Sequence, residues 1–200
     1  MSGCLVHAGF YAAWNEISSS VLSGVRAAKT AYPGYQVIST GHSLGGALAT
    51  IAAGFIRKAG YPTNLYSYGA PRVGNNAFSA FVTNQAGLEY RVTHDKDPVP
   101  KLPPIIFNYR HTSPEYWAST ADPSVSQYKL CTGYASISCN AGTLGLEFND
   151  HAGYMGSIAA CSPGGMPWKR DDMTDAELEA QLTMWAKEDI TFVTQNPAAI

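Results

Sequence analysis

The stretch Tyr35-Gln36-Val37-Ile38-Ser39-Thr40-Gly41-His42-Ser43-Leu44-Gly45-Gly46 decides the fold, because a strand pattern meets a helix pattern there at one serine. In a nucleophile elbow, a serine occupies the sharp turn between a strand and a helix, and its hydroxyl is exposed at the top of a sheet. The glycines fit, because side chains at those positions would clash with the neighbouring elements. The stretch therefore predicts that Ser43 is the nucleophile of an acyl-transfer site.

The bare Gly-x-Ser-x-Gly pattern also fits a tight glycine-rich turn between core elements, so its surroundings have to decide. The residues that follow place apolar side chains on one helical face. That face consists of Leu44, Ala47, Leu48, Ile51, Ala52 and Phe55. The start of this helix would direct its free N–H groups towards an acyl oxyanion, so we favour the elbow.

Length and composition are typical of one globular domain. The chain has 200 residues, of which 46% are hydrophobic and 14% are charged, which is enough to bury a substantial core. The net charge of -2 gives no electrostatic reason to expect a nucleic acid. No apolar run reaches membrane-spanning length, and no Cys/His cluster has metal-ligand spacing. We expect no nucleic acid, no metal and no stable membrane insertion.

Strand and helix patterns alternate along the first half of the chain. Strands are predicted over residues 4–6, 35–40, 65–68 and 88–93, and helices over residues 11–31, from the elbow to about 58, and from a cap at Asn75 or Asn76 through 82. This alternation predicts an α/β fold with a mostly parallel sheet flanked by helices. The aromatic segment 105–130 predicts antiparallel hairpins at one side of the sheet.

The character of the sequence changes after residues 161–165. Thr174 and Glu177 form a capping-box pattern ahead of one amphipathic helix. We predict a catalytic domain over residues 1–168 and a C-terminal extension over residues 169–200. The residues leave open whether the extension docks on the domain or is removed at the dibasic pair Lys169–Arg170.

A serine nucleophile needs a histidine to take its proton and a carboxylate to orient that histidine. In elbow enzymes the acid and then the base follow the serine along the chain, which disfavours His7, His42 and His94. His111 lies in a strand-like segment, whereas His151 lies in a turn, where loop ends hold catalytic groups. We favour His151 as the base.

Two carboxylates follow the strand predicted over residues 88–93. Asp97 precedes residues 98–104, whose four prolines would stiffen the loop. A rigid loop suits a group that orients another, whereas Asp95 is explained as a solvated loop charge. Asp122 and Asp150 are less constrained. The sequence therefore predicts Ser43, Asp97 and His151 as the catalytic residues.

The four cysteines divide into two pairs. Cys131 and Cys139 bracket a short loop, which favours a local disulfide. Cys4 and Cys161 lie near the two ends, and they could pair with each other, be free thiols or have lost their partners.

With these residues placed, the chain resembles the fungal class 3 lipases, and in particular the secreted mono- and diacylglycerol lipases of filamentous fungi. The similar stretches run from Cys4 to about Trp168. They comprise residues 6–10, 41–46, 68–75, 91–94, 97–104, 111–117 and 151–154.

The resemblance implies an α/β-hydrolase fold and a serine carboxylic-ester hydrolase that cleaves mono-, di- or triacylglycerols through an acyl-enzyme intermediate. It implies Ser43 as nucleophile, Asp97 as acid, His151 as base and the Leu44 N–H as an oxyanion donor. It implies no cofactor, and a secreted monomer acting at a lipid–water interface. It also supports the Cys131–Cys139 bridge and a removable tail. No signal peptide is predicted in this chain.

Members of this family carry a further N-terminal part that holds several strands, the lid and the second oxyanion donor. No matching stretch is present in the sequence, so we expect a sheet that lacks its N-terminal strands and lid. The same truncation would explain unpaired Cys4 and Cys161. Two alternatives remain: a feruloyl esterase with the same fold and triad, and an inactive fragment that lacks one oxyanion donor.

Overall fold

The computed structural model describes residues 2–122, 127–158 and 174–197. Its helices are α1 (Ala8–Ala31), α2 (Leu44–Lys58), α3 (Asn76–Thr83) and α4 (Asp175–Gln195). Its strands are β1 (Val37–His42), β2 (Thr63–Tyr68), β3 (Glu89–His94), β4 (Glu115–Ala118) and β5 (Lys129–Cys131). Short 3₁₀ turns lie at Val99–Lys101, Ile105–Phe107, Asn140–Gly142 and Phe148–Ala152.

The strands form one sheet in the order β1-β2-β3-β4-β5, in which the first four are parallel and β5 is antiparallel to β4. His42 pairs with Tyr68, and Tyr68 pairs with Val92. The carboxyl ends of β1 and β2 are therefore level, and β3 continues past Val92 to His94. The loops that follow the three strands meet at one edge of the sheet. The predicted α/β fold is confirmed.

The core lies between the sheet and the helices. Helix α2 packs against β1 and β2, and α1 packs against α2. Ala47 and Ile51 of α2 are fully buried together with Trp14, Leu65 and Phe78. Leu44, which the helical pattern places on one face with Ala47 and Ile51, is 53% exposed, because it begins the helix at the edge of the sheet.

The first predicted strand, over residues 4–6, is wrong. Residues 4–6 contribute only an isolated bridge between Val6 and Gly74, because the chain enters α1 at Ala8 and leaves too little extended backbone for a ladder. The antiparallel pair predicted within residues 105–130 is confirmed as β4 and β5, although β4 also pairs in parallel with β3.

The C-terminal helix begins with the predicted capping box, in which Thr174 and Glu177 exchange hydrogen bonds. Helix α4 packs against the turns Ile105–Phe107 and Asn140–Gly142. The division of the chain at residue 168 stays a prediction. Cys161 and the Lys169–Arg170 pair lie outside the described residues.

The predicted disulfide joins Cys131 to Cys139. Cys4 is a half-buried free thiol, and it forms no disulfide with any described residue. Within the ranges that the structure describes, no helix is long and apolar enough to cross a membrane.

Candidate active site

Ser43 occupies the turn between β1 and α2 in a strained backbone conformation, with φ 55° and ψ -128°. Its N–H donates to the Tyr68 carbonyl over 2.9 Å, which fixes the turn against β2. A Cβ on Gly41 would lie 2.3 Å from the backbone of Gly45, and one on Gly46 would lie 2.8 Å from Ala70 Cβ. These contacts explain the glycines at positions 41 and 46. The expected clash is wrong for Gly45, where an added Cβ would meet no atom within 4 Å.

Asp97 and His151 form a buried pair at the same edge of the sheet. The Nδ1 atom of His151 lies 2.8 Å from Asp97 Oδ2, and both side chains have no exposed surface. A carboxylate only accepts hydrogen bonds, so Nδ1 carries the proton of this hydrogen bond. The structure therefore brings together the acid and the base that the sequence singled out.

His42 links this pair to the elbow. Its Nε2 atom lies 2.8 Å from the carbonyl oxygen of His151, and the two imidazole rings are 4.4 Å apart. Burial and the neighbouring His151 lower the pKa of His42, so its neutral ring is favoured. His151 is thus held beside the residue that precedes Ser43.

Two further donors hold the Asp97 carboxylate. The Tyr154 hydroxyl donates to Oδ2 over 2.6 Å, and the Val99 N–H donates to Oδ1 over 2.9 Å. Burial and the charge of Asp97 raise the pKa of Tyr154 well above its ordinary value, so the phenol remains protonated. Asp97 therefore has its two oxygens fixed from three directions.

Gly69 follows β2, and because it has no side chain, Tyr154, Asp97 and His151 can pack close to its backbone. Its φ is +55°, and a Cβ there would lie 2.9 Å from the Tyr154 hydroxyl, 3.0 Å from Asp97 Oδ2 and 3.1 Å from His151 Cε1. Any side chain at this position would displace the pair.

The other candidates have different partners. His111 Nε2 lies 2.7 Å from the Pro100 carbonyl, and burial together with the nearby Arg91 and Arg72 lowers the pKa of His111 well below its ordinary value. Asp150 accepts from the Lys96 N–H over 3.0 Å. Neither side chain takes the place of His151 or Asp97.

Leu44 is the first residue of α2, so its N–H has no acceptor within the helix. The role of this amide as an oxyanion donor stays a prediction. No group of three or more His, Cys, Asp and Glu side chains in the described part of the chain could hold a metal ion.

Sequence reasoning missed the contributions of His42, Gly69 and Tyr154. His42 lies inside the predicted elbow, and Gly69 directly follows the strand predicted over residues 65–68, so their places at the carboxyl ends of two strands could have pointed to them. Tyr154 gave no local signal, because its partner Asp97 lies 57 residues earlier.

The model of the family described as "Lipase (class 3)" matches residues 1–107. A secreted mono- and diacylglycerol lipase of Fusarium solani is 53% identical over 199 residues, which cover 98% of this chain. The chain belongs to the class 3 lipase family. It spans 60% of the length of the Fusarium relative.

Solved structures of lipases share this fold. A mono- and diacylglycerol lipase from Aspergillus oryzae superimposes with a TM-score of 0.75 and 37% identity, over 80% of this chain and 62% of that one. A triacylglycerol lipase described as having a serine protease triad at its catalytic centre superimposes with a TM-score of 0.74 and 33% identity, over 81% and 63% of the two chains.

Proposed function

We propose that this class 3 lipase chain is a serine carboxylic-ester hydrolase that cleaves acylglycerols, with Ser43, His151 and Asp97 as its catalytic triad. The observation that carries the proposal is the buried His151–Asp97 pair, 2.8 Å apart, beside the strained elbow of Ser43. The names of the Fusarium and Aspergillus relatives support mono- and diacylglycerols as substrates.

In the proposed reaction, the Ser43 oxygen attacks the ester carbonyl carbon while His151 Nε2 takes the hydroxyl proton. The tetrahedral intermediate expels the glycerol oxygen, which receives that proton from His151, and an acyl-serine remains. Water then attacks the acyl carbon, and His151 takes its proton and returns it to Ser43 as the fatty acid leaves. Asp97 keeps Nδ1 protonated and stabilises the imidazolium throughout.

The Leu44 N–H would bind the oxyanion in both steps. One such donor is worth about 10²–10³ in rate. Helix α2 begins at Leu44, so the positive end of its macrodipole lies at the same place and adds to this stabilisation.

Tyr154→Phe tests how the acid is held. Removing the hydroxyl leaves the buried Asp97 carboxylate with one donor fewer, so its orientation towards His151 loosens and kcat is expected to fall about tenfold. Esterase kinetics on a soluble short-chain ester measure this fall. Tyr90→Phe, which removes a hydroxyl from a ring stacked 4.7 Å from Tyr66, is the matched control. Equal activity of both variants would contradict the role of Tyr154.

We further propose a secreted monomer that meets its substrate at a lipid–water interface. The relatives named as secreted support the location, and so does the Cys131–Cys139 disulfide, since disulfides persist in oxidising compartments.

Substrate choice separates the proposed lipase from a feruloyl esterase. Monoacylglycerols and diacylglycerols are expected to be hydrolysed at least about tenfold faster than methyl ferulate, measured as kcat/KM. The two activities share the triad, so the comparison tests the pocket and not the chemistry. Faster turnover of methyl ferulate would reverse the assignment.

A further inference from the structure

The C-terminal helix α4 places one carboxylate inside the domain. Asp189 is 2% exposed. Its Oδ2 accepts from Arg72 Nη1 over 3.0 Å and from the Ile105 N–H over 2.8 Å, and its Oδ1 accepts from the Ile106 N–H over 3.0 Å. Asp189 therefore binds two parts of the domain that lie more than 80 residues earlier in the chain.

Arg72 in turn holds the loop over residues 98–104. Its Nη1 lies 2.6 Å from the Lys101 carbonyl and 2.9 Å from the Pro103 carbonyl, and its own N–H donates to the Leu102 carbonyl over 2.6 Å. Four of the seven loop residues are prolines without an N–H. The loop thus has few donors of its own, and three of its carbonyls, those of Lys101, Leu102 and Pro103, accept from Arg72.

The same loop carries the proposed catalytic acid at its start. Asp97 precedes it, and the Val99 N–H within it donates to Asp97 Oδ1. Hydrogen bonds thus connect Asp189 to Arg72, Arg72 to the loop, and the loop to Asp97.

Burial makes Arg72 dependent on its counter-ion. Desolvation lowers the pKa of Arg72 to about 10, and Asp189 is the largest opposing influence. A buried cation without its partner is costly. Losing the Asp189 charge would therefore make Arg72 draw away from its buried position and release the loop carbonyls.

We propose that Asp189 is a positioning residue for the active site, and that α4 acts on Asp97 through Arg72 and the proline loop. This inference rests on the proposed function of Ser43, Asp97 and His151. A merely structural role of Asp189 would change the folded fraction, but it would leave the turnover of each folded site unchanged.

The test compares Asp189→Asn and Asp189→Ala with Glu188→Gln, which removes an exposed charge from the neighbouring position of α4. Fluorophosphonate titration counts the folded active sites, and turnover of a soluble short-chain ester is divided by that count. Both Asp189 variants are expected to lose about tenfold in kcat per site with KM within about twofold, and Glu188→Gln is expected to match the unaltered chain. A kcat per site that stays within about twofold in both Asp189 variants would overturn the proposal.

Two further measurements on the Asp189 variants do not depend on catalytic turnover. Hydrogen exchange of the amides at Val99, Ile105 and Ile106 is expected to speed up in the Asp189 variants, and the Nδ1 proton resonance of His151 is expected to shift or broaden. If the unaltered chain shows neither labelling nor hydrolysis, the proposed function fails, and these two signals alone decide the role of Asp189. Unchanged exchange and an unchanged His151 resonance would then refute it.

Discussion

Replacing Ser43 with alanine is expected to lower kcat for ester hydrolysis by about 10⁴-fold or more and to abolish labelling by a fluorophosphonate. The variant removes the oxygen that would form the acyl bond, while the buried His151–Asp97 pair stays in place. The serine side chain makes no capping hydrogen bond to α2, so folding should be unaffected. Hydrolysis retained at a tenth of the original rate or more would refute the nucleophile assignment.

Ser43→Gly separates the chemistry from the backbone strain. A non-glycine residue at φ 55° and ψ -128° is strained, at a cost of about 1–3 kcal/mol. Alanine keeps the Cβ and therefore the strain. Glycine releases the strain, but it lowers the free energy of unfolding by about 0.4–1 kcal/mol because it makes the unfolded chain more flexible. We expect Ser43→Gly to be as inactive as Ser43→Ala. Its Tm should lie about 2–4 °C above the Tm of Ser43→Ala. A lower Tm for the glycine variant would contradict a strained elbow.

The elbow could be predicted because its constraints are local. Gly41, Ser43 and Gly45 lie within five residues, and the contact that forbids a side chain on Gly41 is made with Gly45 itself. The strand before the elbow and the helix after it follow from hydrophobic periodicity. The exposure of Leu44 could not be predicted in this way, because periodicity assigns a helical face without showing where the sheet ends.

The two residues of the buried Asp97–His151 pair could be predicted, but their arrangement could not. Pre-proline stiffness and chain order favoured Asp97 and His151, and the structure brings them to 2.8 Å. Their supports are long-range contacts: Tyr154 lies 57 residues from Asp97, and Asp189 lies 117 residues from Arg72. A single sequence carries no local trace of such pairings, since each residue also fits a surface or core position.

The amphipathic pattern of the C-terminal helix had two interpretations, as a docked element or as a removable tail. A capping box and apolar spacing fix the start and the buried face of α4, and both are present in the structure. The capping box and the apolar spacing do not show whether the helix only covers an apolar surface or also places a carboxylate in the core. The contacts of Asp189 with Arg72 and the Ile105 N–H supply that distinction.

Asp97→Asn is expected to lower kcat by about 10⁴-fold without unfolding the protein. The carboxylate accepts from His151 and Tyr154 on Oδ2 and from the Val99 N–H on Oδ1. An asparagine can present its oxygen to only one of these two sides, so its NH₂ group must face a donor on the other. If the NH₂ group faces His151, the imidazole is driven to the tautomer whose Nε2 carries the proton, and it can no longer take the proton of Ser43.

Asp95→Asn is the matched control, because it makes the same change two residues earlier, on a half-buried side chain at the end of β3. Its φ of 25° is one that asparagine tolerates, so its turnover should stay within about threefold of the unaltered chain. Kinetics on a soluble ester and a thermal melt of both variants make the comparison. The triad assignment requires the two variants to differ in kcat by about 10³-fold or more at similar Tm, since Asp97 is the carboxylate that accepts from His151 Nδ1. A comparable loss of kcat in both variants would contradict the assignment. It would mean that kcat depends on negative charge at this edge of the sheet and not on the contact of Asp97 with His151.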